Sequence, residues 1–238
     1  MRYGMVVDLQ KCVGCGNCIF ACKAENNTPG EINWCDKISR TVGSFPNVRY
    51  EYMPRFCNHC TDAPCIKVCP VTPKAMYKAD NGLTLHSVDR CIGCQMCKGA
   101  CPYGVISFNE KAPHLAWQDT RALVPGGTFS PKEMLLTVGG QGSPHANPER
   151  GNTYPVLRPE GKVEKCNFCD HRLAKGLRPA CVDACPPQAL AIGDLDDPAS
   201  IVSQLLKKHK ARVLQPEKGT KPNVYYIRSF THEKRVTA

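Results

Sequence analysis

Aromatic side chains and long apolar runs are scarce in this chain, and both absences limit what it can be. Phenylalanine, tryptophan and tyrosine make up 7% of the 238 residues, so we expect a thin apolar core. No run of about 18 apolar residues occurs, which predicts that no segment spans a membrane. The residues after Met1 form neither a signal peptide nor a twin-arginine motif, so we expect a cytoplasmic chain unless a partner directs export.

Cysteine, in contrast, is abundant, and one stretch has a specific spacing. Residues 91–102 read Cys-Ile-Gly-Cys-Gln-Met-Cys-Lys-Gly-Ala-Cys-Pro, so that gaps of two, two and three residues precede a proline. This is the ligand run of a bacterial-ferredoxin [4Fe–4S] site, in which three cysteines bind one cluster and the fourth binds a neighbouring cluster. A second run must therefore exist elsewhere in the chain.

Three further runs share this pattern, and together the four runs account for 16 of the 17 cysteines. The first run keeps the spacing but has Lys23 in place of the proline, whereas the second and fourth have longer middle gaps of four and eleven residues. In chain order the runs are Cys12, Cys15, Cys18 and Cys22; Cys57, Cys60, Cys65 and Cys69; Cys91, Cys94, Cys97 and Cys101; and Cys166, Cys169, Cys181 and Cys185. Only Cys35 is left over, and we expect it to be a small buried apolar residue.

Two other uses of cysteine fit this pattern less well. Structural zinc sites use paired C-x2-C units, but they have no use for a third and fourth cysteine at the spacing found here. Disulfide frameworks belong to small secreted domains and do not explain an intact four-cysteine run. His59 and His171 lie beside cysteines of the runs, and because each run already supplies four thiolates, we expect these histidines to support ligands rather than bind metal.

The exchange of fourth cysteines predicts which runs form a pair. Runs two and three lie close in sequence, so we expect them to exchange ligands, which leaves runs one and four as the second pair. We therefore predict four [4Fe–4S] clusters, held by Cys12, Cys15, Cys18 and Cys185 (cluster 1); Cys22, Cys166, Cys169 and Cys181 (cluster 2); Cys57, Cys60, Cys65 and Cys101 (cluster 3); and Cys69, Cys91, Cys94 and Cys97 (cluster 4). A cluster with four thiolate ligands has no open position, so each should carry one electron and bind no substrate.

Neither catalysis nor nucleic-acid binding is predicted from the rest of the sequence. It contains no nucleophile with a neighbouring base and no phosphate-binding glycine loop, so we predict no catalytic residue. The formal net charge of +10 resembles that of a nucleic-acid-binding protein. Sixteen thiolates and four oxidised clusters lower this charge to about +2, so we expect the basic residues to offset cluster charge and expect no nucleic-acid partner.

Short apolar segments lead into the runs and predict strands that alternate with ligand loops and short helices. Residues 2–9, 48–52, 83–86 and 224–227 are the predicted strands, and the alternation in the first of them predicts that it is half-buried. Near the C-terminal end, Asp197-Pro198 is predicted to start a helix, with the aspartate as its cap.

These elements predict an α+β fold made of two ferredoxin-like modules, each with two [4Fe–4S] clusters. One module comprises residues 1–47 and 162–238 and carries runs one and four, whereas the other comprises residues 48–108 and carries runs two and three. Residues 109–161 contain seven prolines and seven glycines and form a long predicted insertion. We expect this insertion to be an arm that contacts a partner subunit, because a structureless loop of this length is unusual in a compact domain.

Four such runs in one chain resemble the iron–sulfur electron-transfer subunits of the dimethyl-sulfoxide-reductase family of molybdoenzymes. The resemblance covers nearly the whole chain, and within the family it is strongest to the small subunits of respiratory arsenate reductases. The stretches that carry it are MRYGMVVDLQKCVGCGNC (1–18), CPYGVISFNE (101–110), NPERGNTYPVLRP (147–159), EKCNFCDHRL (164–173) and IGDLDDP (192–198). All four runs are complete here, unlike those of relatives that lack a ligand.

The resemblance implies a role, two partners and a location. One implied partner is a large catalytic subunit that holds molybdenum bis-pterin guanine dinucleotide and a cluster of its own. The other is a membrane protein that oxidises quinol and donates electrons. Single electrons would pass from that donor through this chain to molybdenum, where arsenate would be reduced. The resemblance also implies a periplasmic location, reached by export in the folded state with a twin-arginine partner.

Three other functions remain open from the sequence. Polysulfide, thiosulfate and tetrathionate reductases share part of the linking stretches and would use the same relay. An arsenite oxidase would run the relay in the opposite direction. An independent polyferredoxin would be a stable monomer that donates electrons to several acceptors and has no large partner.

Overall fold

The structure, a computed structural model, describes residues 1–111, 120–121, 127–137 and 158–228. Within these ranges, short strands and short helices alternate with the loops that carry the cysteines, which agrees with the predicted α+β class. The strands are β1 Tyr3–Asp8, β2 Asp36–Ser44, β3 Asn47–Arg55, β4 Met76–Lys78, β5 Thr84–His86, β6 Ser107–Phe108, β7 Val163–Glu164, β8 Leu190–Asp194, β9 Ala211–Arg212 and β10 Val224–Ile227. The helices are α1 Asn17–Asn26, α2 Pro64–Lys67, α3 Met96–Ala100, α4 Pro131–Thr137, α5 Asp170–Leu173, α6 Ala180–Asp183 and α7 Ile201–Lys208.

The principal sheet brings the two ends of the described chain together. Its strand order is β8-β1-β10-β9, with β1 parallel to β10 and antiparallel to β8. Met5 and Val7 of β1 face the core that contains the cysteines, whereas Val6 faces helix α7. The expectation of a half-buried first strand is therefore wrong. Strand β1 is buried on both faces because it is central and covered on each side.

Helix α7 begins later than predicted. It starts at Ile201, after Ser200 in an extended conformation, rather than at Asp197-Pro198. The Asp197 side chain instead accepts a hydrogen bond from the Ala199 amide at 2.8 Å, which forms a turn ahead of the helix. The helix then packs on the principal sheet through Val202, which is fully buried.

Strand β3 is longer than the strand predicted at residues 48–52, and it forms a hairpin with β2. The two strands pair over nine positions, from Asp36 opposite Arg55 to Ser44 opposite Asn47. Strand β2 escaped prediction because most of its residues are exposed, so that no apolar alternation marks it. One hydrogen bond ties the hairpin to the first cysteine run, since Lys37 Nζ donates to the Gly14 carbonyl at 2.6 Å.

Strands β6 and β7 bring the two ends of the predicted insertion side by side. They pair antiparallel, with Phe108 opposite Val163. Arg158 is buried next to this ribbon, with its guanidinium 4.7 Å from the centre of the Trp34 ring and its Nε 3.6 Å from the Glu164 carboxylate. Most of residues 109–161, and with them the predicted partner-contacting arm, lie outside the described residues.

No helix among the described residues is both long enough and apolar enough to cross a membrane.

Candidate metal centres

The structure brings the cysteines of the runs together in sets of four. Three of the sets line cavities, and each cavity contains three cysteines of one run and the fourth cysteine of another. One cavity is lined by Cys12, Cys15, Cys18 and Cys185, the next by Cys57, Cys60, Cys65 and Cys101, and the third by Cys69, Cys91, Cys94 and Cys97. The binding of a cluster by each set stays a prediction, but the sets have the composition that ligand exchange requires.

The sets are numbered like the predicted clusters, and the second set, Cys22, Cys166, Cys169 and Cys181, is buried throughout. The side-chain amide of Asn26 lies between two of these residues, with its Nδ2 3.5 Å from the sulfur of Cys22 and 3.8 Å from that of Cys169. Burial raises the pKa of the Cys22 thiol well above its ordinary value, and the charges of Cys166 and Cys169 raise it further. Burial likewise raises the pKa of Cys181, with the same neighbours contributing. The four thiols are therefore close enough to interact strongly.

The chemistry of these sets suits an iron–sulfur cluster. In three of them the four cysteines line one cavity, and cysteine thiolates are the ligands of [4Fe–4S] clusters. When bound, a [4Fe–4S] cluster would supply the capacity to accept and release one electron at each set.

Each run begins with the same loop conformation. Two positions after its first cysteine, each run has a residue with positive φ, namely Gly14, His59, Gly93 and Phe168. In runs two, three and four, the amide nitrogen of that residue lies 3.4 to 3.5 Å from the sulfur of the first cysteine. Hydrogen bonds of this kind favour the thiolate form, which is the form that binds metal.

Two of these turns were not predicted from the sequence. Positive φ is uncommon outside glycine, so His59 and Phe168 carry no local sign of it. Their position within a C-x2-C unit is the signal that could have identified them. The two rings stack with centroids 4.0 Å apart, and both are buried where the second and third cysteine sets meet. At Gly93 the turn tolerates no side chain, because a Cβ atom would lie 2.1 Å from the Gly161 carbonyl oxygen.

The two histidines beside the runs hold neighbouring segments in place. His59 Nδ1 accepts a hydrogen bond from the Thr84 amide at 3.1 Å, and burial lowers the pKa of His59 well below its ordinary value, so that the ring is neutral. His171 Nε2 lies 2.6 Å from the Glu25 carboxylate, which also contacts Arg172. The contact between His171 and Glu25 joins α1, which carries Cys22, to the loops of run four.

Lysine ammonium groups surround the cysteine loops, and no local pattern in the chain marks them. Their acceptors are main-chain carbonyls within or next to the runs, and the pairs are Lys37 with Gly14, Lys78 with Cys60, Lys162 with Cys91 and Lys165 with Cys166. This arrangement places part of the excess positive charge beside the cysteines. His86, which lines the cavity of Cys69, adds no charge, because burial lowers its pKa to about 3.

The leftover Cys35 is buried, as predicted, and it also has a specific contact. Hydrogen bonding between the thiols of Cys18 and Cys35 lowers the pKa of Cys18 to about 7 and raises the pKa of Cys35 well above its ordinary value. Cys35 therefore acts on the first set without lining its cavity.

We expect the Cys35→Ala variant to keep its full iron content. A single hydrogen bond is worth about 0.5–1.5 kcal/mol, so its loss should shift the midpoint potential of one cluster slightly to more negative values. Iron quantitation and a redox titration followed by electron paramagnetic resonance measure both quantities. A loss of about four iron atoms per chain would show instead that Cys35 is a cluster ligand.

Comparison with known proteins agrees with this geometry. Residues 48–117 and 154–195 match the family described as a 4Fe-4S dicluster domain, and residues 3–24 match a 4Fe-4S binding domain. The chain is 60% identical to the arsenate respiratory reductase iron–sulfur subunit of Shewanella sp. (strain ANA-3), over 97% of each chain. It is 37% identical to a putative dimethyl sulfoxide reductase iron–sulfur subunit of Halobacterium salinarum, over 95% of this chain and 79% of the relative. It is also 37% identical to a selenate reductase subunit of Mesobacillus selenatarsenatis, over 95% of this chain and 72% of the relative.

These relatives match the chain along nearly its whole length. The prediction drawn from the motifs is confirmed at this level. The chain belongs to the iron–sulfur subunits of the dimethyl-sulfoxide-reductase family, and its cofactors are [4Fe–4S] clusters.

Proposed function

We propose that this chain is the electron-transfer subunit of a respiratory arsenate reductase. It passes single electrons through four [4Fe–4S] clusters, from a quinol-linked donor to a large catalytic subunit. That subunit holds molybdenum bis-pterin guanine dinucleotide and a cluster of its own, and it reduces arsenate. The observation that carries the proposal is the near-full-length similarity to the Shewanella arsenate reductase subunit.

The four cysteine sets are the proposed ligands of clusters 1 to 4. The first, third and fourth sets line cavities, and the second set is buried around Asn26. In runs two, three and four, a main-chain amide is turned towards the sulfur of the first cysteine. We also propose two modules that each hold two clusters, residues 1–47 with 162–238 and residues 48–108. The chain itself has no catalytic role in this proposal, because each cluster would be fully ligated by thiolates.

The order of the relay follows from which sets are neighbours. Helix α1 carries Cys22 of the second set directly after Cys18 of the first. The charge of Cys57, in the third set, raises the pKa of Cys166, in the second set, after the larger effect of burial. The third and fourth sets share runs two and three. These contacts support a linear relay of clusters 1, 2, 3 and 4.

Among the cysteines that the structure describes, the exposed members of the four sets lie only at the two ends of this relay. Cys15 of the first set and Cys94 of the fourth set are exposed, whereas the second set is buried. Each exposed loop also displays large apolar side chains. Val13 and Phe20 are 61% and 70% exposed beside Cys15, and Ile92 and Met96 are 66% and 50% exposed beside Cys94. Apolar surface next to an exposed cluster loop suits a protein partner, so we propose one partner at each end.

Single substitutions at the two ends should separate the two partners. We expect Val13→Asp and Ile92→Asp each to keep full iron content and to slow electron transfer with one partner only, because a charge disfavours a desolvated contact. Stopped-flow reduction by quinol and reoxidation by arsenate measure the two half-reactions in the complex. Ile201→Asp, at a residue 52% exposed on α7, is the matched control. Unchanged rates in both variants would contradict docking at the cluster loops.

The number of clusters can be counted directly. We expect about 16 iron atoms in this chain of the intact, anaerobically purified complex, and four cluster signals in its reduced form. The same preparation should contain a large chain with molybdenum and should reduce arsenate. A stable monomer with no large partner would favour an independent polyferredoxin, and activity only with polysulfide, thiosulfate or tetrathionate would reassign the substrate. Net turnover of arsenite alone would reverse the direction of electron flow.

We propose a periplasmic location, reached by export of the folded chain together with a partner that carries a twin-arginine signal. Expression of this chain without the large subunit should leave it in the cytoplasm, whereas coexpression should move it to the periplasm. Cell fractionation followed by immunoblotting measures the distribution. Export of the chain on its own would contradict this route.

A further inference from the structure

Lys165 occupies an unusual position between the second and third cysteine sets. It is fully buried, and it is the only buried lysine among the residues that the structure describes. Its side chain lines the cavity of Cys57, Cys60, Cys65 and Cys101, while its own main chain adjoins Cys166 of the second set. A charged side chain is rarely buried in this way unless nearby groups offset its desolvation.

The surroundings of the ammonium group supply that compensation. Lys165 Nζ donates hydrogen bonds to the carbonyl oxygen of Thr84 and, at 3.0 Å, to that of Cys166. Two carbonyl oxygens accept from it, and the cavity that it lines is surrounded by four cysteines, which are thiolates when they bind a cluster. A lysine with these neighbours is a fixed positive charge.

A fixed buried charge acts on a cluster that changes charge by one electron. Reduction adds negative charge, and a neighbouring positive charge stabilises the reduced form more than the oxidised form. The charge is far from water, so salt and solvent screen it weakly. Net charge and hydrogen bonds to the sulfur ligands are among the factors that set cluster potentials.

We propose that Lys165 is the residue that raises the reduction potential of cluster 3, and so favours the step that carries an electron between the two modules. The inference rests on the proposed function, because it requires clusters in both neighbouring sets. Lys78 adds a second positive charge next to the third set, where its Nζ donates to the Cys60 carbonyl at 2.5 Å.

The effect on cluster 2 is smaller for a geometric reason. Lys165 reaches the second set through the main-chain carbonyl of Cys166, whereas its side chain lines the cavity that the four cysteines of the third set surround. Lys165 therefore separates the potentials of two adjacent clusters.

Substitution of Lys165 in the intact complex tests this assignment. Lys165→Met keeps the unbranched apolar stem and removes the charge. We expect it to weaken reduction of one cluster at least tenfold, which is a shift of about 59 mV to more negative potential for a one-electron couple, with clusters 1 and 4 unchanged. A redox titration followed by electron paramagnetic resonance measures the shift, and the signal altered in Cys101→Ser identifies cluster 3.

Three further variants make the result decisive. Lys165→Arg keeps the charge and should keep a potential closer to that of the unmodified chain than Lys165→Met does. Lys207→Met removes an exposed lysine on α7 and should shift no potential. Lys165→Gln is the second neutral variant, used if Lys165→Met loses iron.

Two outcomes would overturn the inference. One is a full set of clusters with unchanged potentials in either neutral variant. The other is loss of cluster 3 iron in both neutral variants, whether or not Lys165→Arg keeps its iron, because Lys165 would then be needed for cluster assembly. Iron content and arsenate reduction by the unmodified complex test the proposed function separately, so failure of either claim can be recognised.

Discussion

Removal of the iron from this chain is expected to unfold it. The principal core contains cluster cysteines alongside ordinary apolar side chains, among them Cys22, Cys57, Cys166 and Cys181. Without clusters, these residues would surround empty space, and the ammonium of Lys165 would stay buried beside protonated thiols. Structural metal sites supply about 10–16 kcal/mol of folding free energy in small zinc domains, whereas a typical domain is stable by about 5–15 kcal/mol. Loss of ligation at four sites should therefore exceed the total stability.

Circular dichroism and limited proteolysis measure this outcome after anaerobic treatment with an iron chelator. We expect the cooperative thermal transition to disappear and the chain to be digested rapidly. The control is the same complex treated with chelator that has been saturated with iron beforehand. A cooperative transition at an unchanged midpoint in the iron-free chain would show that the apolar core is sufficient for folding.

Loss of cluster 2 should abolish electron transfer from quinol to arsenate. Cys169 belongs to the buried second set, which connects the first set to the third. We expect Cys169→Ala to lose about four iron atoms per chain and to leave the relay without its second carrier. In the proposed complex the molybdenum site lies on the catalytic subunit, so arsenate reduction with an artificial donor that reacts at that subunit should persist.

The matched control is Cys35→Ala, which removes a thiol buried in the same core but not part of a four-cysteine set. Quinol-linked turnover should survive in this control. Comparison of the quinol and artificial-donor assays then separates a broken relay from a general loss of the complex. Quinol-linked turnover at an undiminished rate in Cys169→Ala would contradict the linear order of clusters.

The spacing of the cysteines was enough to predict which four come together. Three cysteines at positions such as 91, 94 and 97 can face one centre only if the chain wraps around it, and the following segment carries Cys101 away. Chain connectivity then leaves few ways to exchange the fourth residues. Three cavities with that composition, and strands β3, β5 and β10 at the predicted places, follow from these local constraints.

Features that depend on distant contacts were not predictable in this way. The burial of β1 on both faces needs α7, which lies almost 200 residues further along the chain. Strand β2 has no apolar alternation, and its extent is determined by its pairing with β3. The turns at His59 and Phe168 adopt a conformation that their residue types rarely favour, where the two rings stack.

The sequence by itself determined the cofactor class and the family and predicts the sets of four cysteines, because all three depend on residue type and on separation along the chain. Tertiary structure alone decided where charge lies around those sets. Lys165 looks like any other lysine of a basic chain until folding buries it beside the cavity of the third set. Electrostatic interactions depend on distance through space and on exclusion of water, and neither is encoded in local spacing.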